Sequence, residues 1–99
     1  MSHYISLINW TDQGIRNVKG GPQRIANARK AIEAAGGKWH SLYLTMGQYD
    51  LVVITEFPND EVAATFTLAL GAQGNVRTTT LKAFPEAEAI KIINNVPSS

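Results

Sequence analysis

A short stretch near the middle of the chain, Gly47-Gln48-Tyr49-Asp50, combines residue types that do chemistry with residue types that make turns. The carboxylate of Asp50 can accept a proton or anchor a ligand by hydrogen bonds, particularly where burial raises its proton affinity. Gly and Asp are also ordinary turn residues, and an aspartate in a turn can cap backbone amides or pair with a cation. The sequence leaves both interpretations of Asp50 open, and Asp50 is its best candidate for a catalytic group.

The apolar runs on either side of this stretch predict a hairpin with a defined register. A two-residue turn at Gly47-Gln48 pairs Leu44 with Leu51, and a four-residue loop gives the same faces. Because side chains alternate across a strand, Asp50 then projects from the face opposite those leucines. We predict that a ligand-binding set lines a chamber on that face, made of Ser6, Trp10, Trp39, Tyr43, Thr45, Asp50 and Arg77. The face that Arg77 occupies is not settled by the pattern, and packing of the aromatic residues at an interface is the alternative role for them.

Metal and nucleotide sites have weaker support in the sequence. His3 and His40 lie on different predicted strands without the spacing of a metal motif, so we expect them to be solvated or hydrogen-bonded and predict no metal. The segment 19–22, Lys-Gly-Gly-Pro, lacks both the Gly-Lys-Ser/Thr and the G-x-G-x-x-G arrangements. No cofactor is therefore predicted.

The elements that must position these residues follow the order β-α-β-β-α-β. The patterns predict strands at 3–10, 39–46, 51–57 and 75–84, and helices at 22–35, from 58–61 to 71, and from Pro85 onward. We therefore predict an α+β fold of the ferredoxin-like kind, an antiparallel sheet with its helices on one face and an extra C-terminal helix, in a single domain spanning 1–99.

The third predicted strand indicates that the helix-free face of the sheet is covered. The run Leu-Val-Val-Ile-Thr at 51–55 is apolar on both faces, which is typical of a strand buried on both sides. A face carrying Trp39, Tyr43, Val52 and Ile54 would be a larger apolar patch than monomers usually expose. We expect a homodimer, or a higher even oligomer, in which two sheets meet and form an α/β barrel.

Composition narrows the function classes. The chain has 99 residues, no cysteine and a net charge of +1. The low net charge argues against a nucleic-acid or membrane partner, and neither a leader nor a long apolar run is evident. We expect a soluble cytoplasmic protein.

Four segments together resemble a known family. They are YISLINWTDQGIRNV, RIANARKAIEAAGGKWHSLYLT, MGQYDLVVITEFP and LGAQGNVRTTTLKAF, which cover nearly the whole chain. In this order they resemble the GYD domain family, named for a Gly-x-Tyr-Asp stretch that is here Gly47, Tyr49 and Asp50. The resemblance implies a ferredoxin-like dimeric α/β barrel of bacterial or archaeal type, but it implies no reaction.

Three function classes follow from these observations. The first is a small-molecule-binding or accessory protein that uses the cavity between paired sheets. The alternative is a cofactor-independent enzyme of the isomerase or monooxygenase type, by analogy with other dimeric barrels of this fold. RNA binding ranks last, because the third strand has aliphatic residues and carboxylates where RNA-recognition domains carry exposed aromatic rings.

Overall fold

The computed structural model describes residues 1–98 and contains four strands and four α-helices in that range. In chain order they are β1 Ser2–Trp10, α1 Asp12–Arg16, α2 Gly21–Ala34, β2 Lys38–Leu44, β3 Leu51–Phe57, α3 Asp60–Ala72, β4 Val76–Ala83 and α4 Glu86–Asn94. A 3₁₀ turn, Val18–Gly20, joins α1 to α2. Within this range no helix combines the length and apolar character that crossing a bilayer requires.

The four strands form one sheet in the order β2-β3-β1-β4, and the three neighbouring pairs are antiparallel. The crossover helices α2 and α3 both lie against the same face, which leaves the other face without a crossover helix. This confirms the α+β, ferredoxin-like prediction. The predicted bounds of β3 are also those observed.

Local sequence explains where the helices begin and end. The side chain of Asn59 accepts a hydrogen bond from the Val62 amide at the start of α3, and Thr11 caps α1 in the same way. Pro22 lies in the first turn of α2, where its missing amide hydrogen costs nothing. After α2 the chain reverses at Gly36, whose φ of 84° is readily adopted by glycine.

The core lies between the sheet and the two crossover helices. One cluster of buried side chains consists of Tyr4, Ile32, Phe57 and Ala63, and a second consists of Ile8, Leu51 and Val53. The strand β3 supplies members of both clusters, since alternate residues from Leu51 to Phe57 are buried against the helices. Each crossover helix contributes one buried side chain, Ile32 from α2 and Ala63 from α3. The contact between the helical layer and the sheet is therefore thin.

The pairing of β2 with β3 contains a β-bulge at His40. Trp39 pairs with Thr55, whereas Ser41 pairs with Ile54, so His40 is an extra residue in β2. Beyond the bulge the predicted register holds, with Leu42 opposite Val53 and Leu44 opposite Leu51. The extra residue reverses the alternation, and Trp39 therefore lies on the helix side. The prediction that Trp39 faces away from the helices is wrong for this reason.

The hairpin between β2 and β3 closes around a four-residue loop. The Thr45 amide donates to the carbonyl of Asp50 at 2.8 Å, and the Thr45 hydroxyl donates to the carbonyl of Tyr49 at 2.6 Å. Gly47 within the loop has a φ of 129°, a region that side chains disfavour. The four-residue alternative is the one observed, and it requires the glycine.

Candidate functional site

A cavity of about 100 Å³ lies between the sheet and helices α2 and α3. Its floor is the helix-facing side of the sheet, including Ile8, Leu42 and Val53. Its walls come from α2 and α3, including Ile25, Ala28, Phe66 and Leu70. The lining is mostly apolar, with a few polar groups, and such enclosures are the usual sites for small molecules.

Three residues predicted to bind a ligand line this cavity, namely Ser6, Trp10 and Trp39. The predicted chamber between two sheets would have placed them on the helix-free face. That placement is wrong for all three, because Ser6 and Trp10 alternate with the outward-facing Ile5 and Leu7, and the bulge turns Trp39 inward. The Ser6 hydroxyl lies 3.1 Å from that of Thr80, so the pair forms a polar spot on an apolar floor.

Tyr43 and Arg77 lie on the helix-free face. Tyr43 pairs with Val52 and is 60% exposed, and Arg77 pairs with Asn9 and is exposed. The face of Arg77 is thereby settled. Since β2 and β4 are the two edge strands of the sheet, two central strands separate Tyr43 from Arg77. Tyr43 and Arg77 therefore lie apart from each other and on the opposite face from the cavity residues Ser6, Trp10 and Trp39.

Asp50 caps the backbone at the end of β1. Its Oδ2 accepts a hydrogen bond from the Trp10 amide at 2.9 Å, and its own amide donates to the Ile8 carbonyl at 2.9 Å. The Asp50 side chain lies outside the cavity lining. The hydroxyl of the neighbouring Thr45 donates its hydrogen bond to the Tyr49 carbonyl within the hairpin loop. Of the two interpretations of Asp50, the geometry matches the backbone cap.

Tyr4, Asp60 and Lys82 form a polar network. The buried Tyr4 hydroxyl donates to Asp60 Oδ1, and the Lys82 ammonium lies 3.1 Å from Asp60 Oδ2. Burial raises the pKa of Tyr4, and the carboxylate of Asp60 adds to the shift because it favours the neutral phenol. The hydrogen bond from Tyr4 lowers the pKa of Asp60, with a further contribution from Lys82. This network joins β1, α3 and β4 and is structural in character.

The two histidines meet at Glu56, a carboxylate that is not among the predicted site residues. His3 pairs with Glu56 in the β1–β3 register, and the bulge brings His40 to the same residue. The His40 Nε2 atom lies 2.6 Å from Glu56 Oε2, and the His3 Nε2 atom lies 3.7 Å from it. The hydrogen bond with His40 lowers the pKa of Glu56, and the neighbouring positive groups reinforce the shift. The hydrogen-bonded role expected for His40 is thus observed, and Glu56 could have been found by pairing β1 with β3.

The chain matches a known family over most of its length. The family model described as GYD domain covers residues 4–93. A Thermus thermophilus protein named "Glutamine synthetase and cystathionine beta-lyase binding protein" is 32% identical over 91 residues, which are 91% of this chain and 96% of that protein.

Solved structures show the same fold at low identity. MtbAldR is 16% identical with a TM-score of 0.67, over 86% of this chain and 52% of that one, so the chain spans about half of its length. A crystal structure of a second protein, from Thermus thermophilus, is 24% identical with a TM-score of 0.53, over 86% of this chain and 95% of that one.

Proposed function

The chain belongs to the GYD domain family, and we propose that it is a binding or accessory protein that takes a small apolar molecule into the cavity between its sheet and its helices. The observation that carries this proposal is the cavity itself, which α2 and α3 flank above the floor that includes Ser6, Trp10 and Trp39. Protein interiors normally pack without voids much larger than a water molecule. A space of this size in so small a chain can therefore hold a small ligand.

The size and lining of the cavity define the class of guest. An engineered cavity of about 150 Å³ lined by aliphatic and aromatic side chains binds benzene or xenon. The present cavity holds about 100 Å³ and is partly open to solvent, so the single aromatic ring of toluene fits when part of the molecule lies in the opening. A larger ligand requires α2 and α3 to move away from the sheet, which would expose the buried side chains of Ile32 and Ala63.

Binding is favoured over catalysis by what lines the cavity. Among the described residues, Arg24 is the one lining side chain that carries a formal charge, and an arginine stays protonated at physiological pH. The described lining contains hydroxyl and amide groups but no carboxylate or imidazole to act as a general base. The cofactor-independent enzyme therefore has weaker support than the binding protein.

The helix-free face supports the proposal of a homodimer. This face carries Ile5, Leu7, Val52, Ile54, Tyr43 and Leu81, of which Tyr43 and Leu81 are 60% and 47% exposed. An apolar surface of this extent on a lone sheet is typical of an interface. A second copy packed face to face about a two-fold axis would cover it. An accessory role is further supported by the Thermus thermophilus relative, whose name describes binding to two enzymes.

The experiment that tests the cavity is a titration with toluene followed by two-dimensional ¹H–¹⁵N NMR. We expect shifts at backbone amides of the lining residues of β1, α2 and α3. Ala28→Leu places three additional carbon atoms in the cavity and should weaken toluene binding at least about tenfold, because overlapping atoms exclude the guest. Ala31→Leu, on the exposed side of the same helix, is the matched control and should bind as the natural sequence does.

Two results would overturn the proposal. One is the absence of saturable shifts in the lining with toluene and with other small apolar probes. The other is equal binding by the Ala28 and Ala31 variants. A native mass spectrum of the same sample tests the dimer separately, and a stable monomer at micromolar concentration would contradict it.

A further inference from the structure

Three side chains with metal-binding atoms converge on the helix-free face, away from the cavity. His3 on β1, His40 on β2 and Glu56 on β3 place one imidazole nitrogen each and one carboxylate oxygen within 4.8 Å of one another. The imidazole rings lie parallel, with centroids 5.5 Å apart and planes inclined by 6°. All three side chains are accessible, at 29%, 40% and 14% of their surface for His3, His40 and Glu56.

This donor set has a specific chemistry. Two histidines and one carboxylate are the protein ligands of one type of catalytic zinc centre, and imidazole favours zinc and its neighbours among the first-row metals. From the donor types and their convergence we propose that His3, His40 and Glu56 bind a zinc ion. The cluster lies on the face that the proposed homodimer would cover, and the zinc proposal does not depend on binding in the cavity.

The distances are close to those that zinc requires. With bonds of about 2.0–2.1 Å, a tetrahedral centre holds its ligand atoms about 3.4 Å apart. The separation of 3.7 Å between His3 and Glu56 already meets this value within a few tenths of an ångström. The 2.6 Å between His40 and Glu56 is a hydrogen bond that must lengthen when the metal replaces the shared proton. The imidazole nitrogens of His3 and His40 lie within 4.8 Å of each other, so all three side chains have to adjust when the metal binds.

The backbone geometry makes the convergence specific. The bulge adds one residue to β2 and directs His40 toward Glu56, and bulges commonly re-aim a side chain in this way. Each ligand lies on a different strand of one sheet, and rigid elements hold a site more accurately than loops do. With three protein ligands the fourth position is open to water or to a further group.

The positive charge of the neighbouring Lys38 disfavours metal binding at this cluster. Lys38 lies opposite Glu56 in the β2–β3 register, and its positive charge contributes to the low pKa of Glu56. The ammonium group repels a bound cation and competes for the carboxylate. Removing this charge should therefore tighten zinc binding, whereas removing a ligand should abolish it.

The test is calorimetric titration of the untagged full chain with zinc chloride at neutral pH. We expect one zinc ion per chain. Outer-shell substitutions at zinc sites cost about 10–100-fold in affinity, so loss of a direct ligand in His40→Ala or Glu56→Gln should cost at least about 100-fold. Lys38→Gln should bind zinc more tightly than the natural sequence does. Glu61→Gln, which changes an exposed carboxylate outside the cluster, is the control and should bind unchanged.

Two further measurements distinguish the loss of a zinc ligand from unfolding of the variant and from zinc binding at another place. Far-ultraviolet circular dichroism without metal checks that each variant is folded, and Glu56→Gln conserves the shape of the side chain if His40→Ala unfolds. Substitution with Co²⁺ should give the visible absorption bands of a tetrahedral centre. The proposal is overturned if the natural sequence does not bind zinc. It is equally overturned if folded His40 and Glu56 variants bind as well as the control, since the metal would then be held outside this cluster.

Discussion

The backbone cap formed by Asp50 can be tested by a pair of substitutions that separate its shape from its function as an acceptor. In Asp50→Ala the Trp10 amide loses the acceptor that now lies 2.9 Å away. In Asp50→Asn a carbonyl oxygen remains in the same place and can accept the same hydrogen bond, although without the negative charge. The two variants therefore differ in whether the Trp10 amide keeps a hydrogen-bond acceptor.

The magnitude follows from the type of bond and its burial. A hydrogen bond to a charged group contributes about 1.5–3 kcal/mol, and a donor left without an acceptor in a half-buried position costs somewhat less than that range. We expect Asp50→Ala to lower the free energy of unfolding by about 1–2 kcal/mol. For a domain of this size that is a fall of about 5–15 °C in melting temperature. Asp50→Asn should lose less than half as much.

Urea denaturation followed by tryptophan fluorescence measures both values, since Trp10 itself reports on the region. Because Asp50 lies outside the cavity lining, toluene binding should be the same in both variants and in the natural sequence. Equal destabilisation by the two substitutions, or none by either, would refute the cap. If Asp50→Asn left stability unchanged and removed ligand binding, the carboxylate would instead be a ligand anchor.

Two further predictions concern stability. Gly14→Ala should destabilise the domain by more than about 2 kcal/mol, because a Cβ there would lie 1.9 Å from the carbonyl oxygen of Asn75, which is backbone and cannot move aside; Gly21→Ala, with no atom within 4 Å of the added carbon, is the control in the same denaturation assay. Stability should also fall in acid, since the hydrogen bond from Tyr4 holds the pKa of Asp60 below its ordinary value of 3.8. The stabilisation by Asp60 is complete above that value and is lost as the pH falls through the lower pKa of the folded state. Thermal melts between about pH 6 and pH 2 should show this decline in the natural sequence and a weaker one in Asp60→Asn; parallel curves would contradict it.

The order of the elements could be predicted because its signals are local. A continuous apolar run from Leu51 to Ile54 predicts β3, and the pairing of Leu44 with Leu51 follows from the turn residues between them. The capping residue Asn59 and the helix-ending Gly36 act on their own neighbours in the chain. Signals of this kind determine the α+β fold without any knowledge of distant contacts.

The candidate sites depended on contacts that the sequence does not express locally. The bulge at His40 reverses the face of Trp39, and a single inserted residue of this kind leaves no mark in the alternation of a short strand. The cavity exists because α2 and α3 meet the sheet through few buried side chains, which is a property of three elements packed together.

The meeting of His3 with Glu56 likewise required the register of β1 against β3, two strands that are separated in the chain by α1, α2 and β2. The sequence by itself determined the strands, the helices and the turn at Gly47. The tertiary structure alone decided which side chains share a face, because a shift of one residue in strand pairing moves every following side chain to the opposite side of the sheet.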